Sequence, residues 1–184
     1  MDSSAARRIC GTAGGAADAP GSGGVLIRPL GAEALPALSE IERRANRVPW
    51  SEKLLAQEFE NRFSRLFGAF VGEKQVGFLV AHVVLDEAHV VNLAVAPEWR
   101  RMGIGRLLLD TLLRQLFEEG ARWAYLEVRE SNTPALILYG SLGFYRVALR
   151  QGYYSDNGES TVLMNLELSS VYSAEGGALR RAAG

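Results

Sequence analysis

The sequence predicts a mixed α/β domain, a central mixed β-sheet flanked by helices in the order β-α-α-β-β-β-α-β-α-β-β. Three observations carry this. Short β-branched and aromatic runs alternate with segments whose leucines recur at helical spacing. Three successive strand-like runs in the first half are joined by very short connections, which marks antiparallel hairpins. In the middle, a strand-like run, a long amphipathic segment and another strand-like run follow in order, the pattern of a β-α-β crossover.

Each element has its own signal. Residues 25–29 (Val-Leu-Ile-Arg-Pro) read as a first strand and 33–45 as a helix with Leu35, Leu38 and Ile41 on one face. After the loop Asn46-Arg47-Val48-Pro49-Trp50, Ser51 is placed to cap a second helix to about Asn61. Strands are expected over 65–71, 75–85 and 88–95, with Gly72-Glu73-Lys74 and Asp86-Glu87 as the turns. The segment 105–119 places Leu108, Leu112 and Leu116 four residues apart, with Leu109 and Leu113 beside them, and Gly120 is positioned to end it. A strand over 122–128 precedes a helix over 134–142, started by Pro134 and stopped by Gly143. Strands over 144–151 and 161–168 close the pattern.

Bulk properties narrow the class. With 184 residues and 48% hydrophobic content, the chain has enough material for one globular core. Residues 1–24 and 169–184 are Gly/Ala-rich and aperiodic, so they read as a flexible extension and a flexible tail around a domain at 25–168. A net charge of -1 supplies no field to draw the chain to nucleic acid or an anionic membrane. Any acidic ligand must be held by a local site. No apolar region follows Arg7-Arg8, so no export signal is expected, and the single cysteine, Cys10, precludes an intrachain disulfide. His82 and His89 lack a second ligand pair, so no metal is expected. These properties suit a cytoplasmic protein, and a monomer or weak dimer is expected.

The most informative stretch runs from Asn92 to Arg106. A strand ends at Leu93-Ala94-Val95-Ala96, Pro97 breaks it, and Arg101-Met102-Gly103-Ile104-Gly105-Arg106 opens a helix. Glycines there let backbone approach a ligand, and the N–H groups of a helix start carry partial positive charge. The result is a cradle for a pyrophosphate, with Arg101 and Arg106 beside it. A Walker loop is excluded because no Lys follows the glycines, and a dinucleotide fingerprint is excluded because position 108 is Leu.

This stretch resembles the acetyl-CoA signature of the GNAT acetyltransferase superfamily, and the likeness extends over about 25–168. It implies that Leu93, Ala94 and Val95 line the pantetheine, and that Arg101, Met102, Gly103, Ile104, Gly105 and Arg106 hold the phosphates of acetyl-CoA. Leu126-Glu127-Val128-Arg129-Glu130-Ser131-Asn132, followed by Leu138-Tyr139 and Leu142-Gly143-Phe144, resembles the RimI group more closely. So do Pro49-Trp50-Ser51 and Tyr153-Tyr154. That group acetylates protein N-termini, with the N-terminal alanine of a small-subunit ribosomal protein as acceptor.

The resemblance implies roles that the residues alone leave open. Glu127 is the implied general base; read by itself, a strand carboxylate could equally pair with an arginine such as Arg129. Tyr139 is the implied acid toward the CoA sulfur; a tyrosine on an apolar helix is otherwise core. Asn132 is implied to contact the pantetheine, although it also suits a helix-leading turn. Trp50, Tyr153 and Tyr154 are implied to flank the acceptor, although rim packing would account for them too. An acetyltransferase for a small amine or a lysine side chain, and a non-catalytic acyl-CoA-binding module, are the alternatives.

Overall fold

The computed structural model describes residues 24–172. The expected extension and most of the expected tail lie outside the described residues. No helix among those described is long and apolar enough to cross a membrane.

The strands are β1 (Val25–Pro29), β2 (Ser64–Val71), β3 (Lys74–Val84), β4 (Glu87–Val95), β5 (Trp123–Arg129), β6 (Tyr145–Arg150) and β7 (Thr161–Glu167). The helices are α1 (Leu35–Ala45), α2 (Glu52–Glu60), α3 (Ile104–Glu118) and α4 (Thr133–Ser141). This is the expected order. Three short 3-10 turns, Ala32–Ala34, Pro97–Trp99 and Leu168–Ser170, were not expected. The first explains why α1 starts later than its periodicity suggested. Pro36 has no N–H to donate to residue 32, so it fits only the first turn of an α-helix.

One seven-stranded mixed sheet runs in the order β1-β2-β3-β4-β5-β7-β6. β4 and β5 are parallel, as the crossover through α3 requires, whereas β5–β7 and β6–β7 are antiparallel. β7 lies between β5 and β6, so the last strand of the chain is interior and β6 forms an edge.

The described chain divides into two compact units, 24–80 with Leu93–Leu108, and Ala81–Asn92 with 109–172. In the first unit β1 lies antiparallel to β2, Val25 opposite Val71 and Pro29 opposite Phe67. Ser51 caps α2 by accepting the Leu54 N–H at 3.2 Å, and Leu38, Leu55, Val76, Phe78 and Leu79 are fully buried. Gly77 matters here for close approach. A Cβ at this position would stand 3.0 Å from the Ala94 carbonyl oxygen and 3.3 Å from Leu108 Cδ1. The missing side chain lets β3, the end of β4 and the start of α3 share one space.

In the second unit, Ala124, Leu126 and Val128 of β5 and Val162, Met164 and Leu166 of β7 are buried, while Trp123, Tyr125 and Glu127 and, on β7, Leu163, Asn165 and Glu167 are more open. Period-two alternation thus gives one core face and one open face. Leu109, Leu112, Leu113 and Leu116 of α3 are all fully buried, each worth roughly 1.5–3 kcal/mol of transfer free energy. Past Leu168 the chain stays packed. The Tyr172 ring is buried and its hydroxyl donates to Asp110 at 2.9 Å, so the packed chain runs four residues beyond the boundary expected at 168.

Candidate active site

Each unit carries its own set of candidate residues. The first begins where β4 ends. The Ala96 N–H donates to the Val76 carbonyl at 2.9 Å, and Pro97–Trp99 turns the chain. Arg100 then pins that turn. Its Nε donates to the Val95 carbonyl at 3.1 Å and its guanidinium to the Ala45 carbonyl at 2.8 Å. Beside it, Glu98 accepts both guanidinium nitrogens of Arg44, at 3.2 and 2.8 Å. A backbone hydrogen bond to Glu98, and then Arg44, hold that carboxyl below its usual range.

Of the arginines in this loop, Arg100 is structural. The next three residues, Arg101, Met102 and Gly103, are exposed, and Arg101 has no ion-pair partner among the described residues. Arg101 and Gly103 both adopt left-handed backbone, φ 62° and 79°. A Cβ at Gly103 would meet nothing within 4 Å. The space above the loop is open, so glycine is needed here for its conformation. α3 starts at once with Ile104. The Leu107 N–H donates to the Gly103 carbonyl at 3.0 Å. The N–H groups before it are helix-start donors aimed along the axis. This local geometry fits a pyrophosphate: open space, a helix N-terminus and a free arginine.

Trp50 belongs to the same unit and is held by a residue that sequence reasoning passed over. Glu42 is only 1% exposed. Its Oε1 accepts the Trp50 N–H at 2.9 Å and its Oε2 accepts the Asn46 amide at 2.7 Å. The buried carboxylate therefore folds the α1–α2 loop onto α1. Its signal in the sequence was weak, an acidic residue at a core-facing spacing next to Ile41.

The second set centres on β5. Glu127 lies on the open face with Trp123 and Tyr125, as the period-two rule required. Its charged partner is Arg150 of β6, 3.4 Å away, not Arg129. The two arginines differ because β7 lies between β5 and β6 and places Arg150 diagonally across from Glu127, while Arg129 turns to the loop beyond. The Tyr153 hydroxyl donates to Glu127, and this bond and the carboxylate charge push the phenol above its usual range. Arg150 sits 5.3 Å from the Tyr153 ring centroid. Glu127, Arg150 and Tyr153 therefore form one cluster.

Arg129 organises a different cluster. Its guanidinium meets Asp156 at 2.9 Å and Glu159 at 3.1 Å, and it lies 3.7 Å from the Tyr154 ring centroid. Glu159 also accepts the Ser131 N–H at 2.8 Å. Hydrogen bonding from Ser131, then Asn157 and Arg129, pulls the Glu159 carboxyl from 4.5 down to about 2. The loop bearing Tyr153 and Tyr154 is thereby clamped to the end of β5, and the two rings meet edge to face at 5.2 Å.

Asn132 caps α4, its side-chain oxygen accepting the Ala135 N–H at 3.3 Å. Tyr139, about two turns further on, is buried against Phe144 at 6.0 Å. Burial, and secondarily the neighbouring Tyr154, push its phenol up to about 12. Tyr139 therefore keeps its proton throughout the neutral range. Among the described residues no group of His, Cys, Asp and Glu could hold a metal.

Known proteins resemble this chain in sequence and fold. The acetyltransferase (GNAT) family model matches residues 35–144. The ribosomal protein bS18-alanine N-acetyltransferase of Escherichia coli strain K12 is 42% identical over 137 residues, 73% of this chain and 92% of that protein. The enzyme of the same name from Haemophilus influenzae is 40% identical over 130 residues, 69% of this chain and 88% of that one. The crystal structure of the Escherichia coli ribosomal-protein-S18-alanine N-acetyltransferase superposes with a TM-score of 0.75 at 38% identity, covering 84% of this chain and 99% of that one. With this match over most of its folded length, the chain belongs to the GNAT family of acetyltransferases.

Proposed function

We propose that this protein transfers the acetyl group of acetyl-CoA to the α-amino group of a protein N-terminus, with the N-terminal alanine of ribosomal protein bS18 as acceptor, in the cytoplasm. The observation that carries the reading is the 42% identity to a bS18-alanine N-acetyltransferase across 92% of that enzyme. When bound, acetyl-CoA supplies the thioester carbonyl. The donors at the start of α3, with Arg101 and Arg106, neutralise its phosphates, and the backbone of Leu93, Ala94 and Val95 and the Asn132 side chain align its pantetheine.

Glu127 takes the proton that the attacking amine must lose. An α-amino group has an ordinary pKa near ~8, against ~10.4 for lysine, so a carboxylate deprotonates a chain end more readily. Arg150 and Tyr153 hold the Glu127 carboxylate from two directions. Tyr139 faces the departing sulfur with its proton in place. A phenol raised to about 12 is a weaker acid than an ordinary thiol near ~8.5. Its contribution is therefore a hydrogen bond that stabilises the developing thiolate, which takes its proton from solvent on leaving. Trp50, Tyr153 and Tyr154 flank the acceptor chain.

The test is thiol release from acetyl-CoA with an alanine-starting peptide, an N-blocked peptide carrying an internal lysine, and a polyamine. Mass spectrometry of N-termini in cells with and without the protein accompanies it. Rapid release with the first acceptor alone, and loss of one ribosomal N-terminal acetyl group in cells, is the expected result. Equal or faster acetylation of the lysine or the polyamine would falsify the N-terminal assignment.

A further inference from the structure

The open face of the sheet that carries Glu127 also carries an aromatic ladder. Cross-strand partners on this face form rows. Glu87, Trp123 and Glu167 make one, and His89, Tyr125, Asn165 and Tyr145 make the next. His89 stacks on Tyr125 with centroids 5.0 Å apart and planes at 25°. Tyr125 in turn stacks on Trp123 at 6.5 Å and 23°. The rings run along β5, away from Glu127 and toward the start of the strand.

An open sheet face normally carries small or charged polar groups. This one presents half-buried and exposed rings, and its far end is acidic. Glu87 accepts the Tyr125 hydroxyl at 3.5 Å and lies 3.4 Å from His89 Nε2. Glu167, on β7 opposite Trp123, accepts the Ser169 hydroxyl at 2.9 Å. Among the described residues, no lysine or arginine is paired with Glu87 or Glu167. An indole between two carboxylates that lack a lysine or arginine partner is a receptor for an organic cation. The ring face attracts the charge and the carboxylates neutralise it.

We infer that this ladder is an extended acceptor subsite, which takes the polypeptide downstream of the acetylated residue and selects a lysine or arginine at about its fourth or fifth position. The inference rests on Glu127 meeting the α-amino group. Trp123 lies four residues before Glu127 on the same strand, roughly 13 Å away at ~3.3 Å per residue. An acceptor chain lying extended along β5 advances at the same rate. Its fourth or fifth side chain therefore comes abreast of Trp123, with Glu87 on one side and Glu167 on the other.

Two alanine-starting octapeptides test this, identical except for lysine or glutamate at positions four and five. Steady-state rates are measured on the full chain, and on the Trp123→Ala and Glu167→Gln proteins after their fold is checked by circular dichroism. Glu167→Gln is an isosteric surface change and serves if Trp123→Ala does not fold. The lysine peptide is expected to show a KM lower by roughly three- to thirtyfold at similar kcat, the span of one cation–ring contact and one exposed ion pair. That ratio is expected to fall toward one in either variant. Equal KM values in the unaltered protein, or a ratio that survives the substitutions, overturn the subsite and leave N-terminal acetylation standing. Failure to acetylate either peptide removes both readings together.

Discussion

The loop at residues 100–106 and the cluster around Glu127 are built in opposite ways. The first is local. Its residues are contiguous, its donors are backbone N–H groups, and its shape comes from left-handed backbone at Arg101 and Gly103. The second joins residues distant in sequence through side chains: Glu127 to Arg150, Arg129 to Asp156 and Glu159, and the Ser131 N–H to Glu159. A backbone-built site should fail through conformation, at one position, and lose ligand affinity. A side-chain-built site should fail by degrees and lose turnover or acceptor binding.

The largest effect is expected at Glu127. Replacing it by Gln keeps the shape and removes the proton acceptor. Turnover should fall by about 10²–10⁴, the usual span for a general base, while calorimetry finds acetyl-CoA affinity little changed. A near-normal rate would dismiss Glu127 as base.

Gly103→Val breaks the other region. A β-branched residue at φ 79° is strained by roughly 1–2 kcal/mol, and its side chain projects into the open space above the loop. Acetyl-CoA affinity should drop at least about tenfold, since 1.4 kcal/mol is one decade. Unchanged affinity in a titration would show that the loop does not hold the phosphates.

Glu42→Ala probes a side-chain anchor. Losing a buried acceptor leaves the Trp50 N–H and the Asn46 amide without their partner, a cost of about 1–3 kcal/mol, and should lower the melting temperature. The KM for the acceptor peptide should rise more than that for acetyl-CoA, because Trp50 belongs to the acceptor side of the proposed site. Parallel changes in both constants would remove Trp50 from that role.

The smallest effect concerns pH. Glu159 has its carboxyl lowered from 4.5 to about 2, so the folded state binds its proton less readily than the unfolded chain. That contribution is fully present above pH 4.5 and is lost as pH falls toward 2. The protein should therefore melt at progressively lower temperature across that window. Glu159→Gln should lower the melting temperature near pH 6 and shrink the slope below pH 4.5, so that the two curves converge in acid. Parallel curves would show that the clamp on the Tyr153-Tyr154 loop adds no stability.

The order of elements, the crossover through α3 and the glycine-arginine loop were all legible in the sequence. Their signals are short-range: leucine spacing, a proline in a first turn, glycines between a strand and a helix. The pairing of the late strands was not. Nothing in residues 144–168 states that β7 enters the sheet between β5 and β6, because strand adjacency depends on which faces need burial. That insertion puts Arg150 diagonally across from Glu127, while Arg129 meets Asp156 and Glu159. It also puts Glu167 opposite Trp123.

The sequence by itself determined the fold class, the place of the glycine-arginine loop, and the face of β5 on which Glu127 lies, since each follows from spacing along a few residues. Only the tertiary structure decided which arginine faces which carboxylate, that Glu42 is buried and holds the Trp50 N–H, that Tyr139 is buried with its phenol raised, and that Tyr172 packs into the fold. Burial and charge pairing are set by neighbours far apart in the chain, and they exist only once the sheet has closed around them.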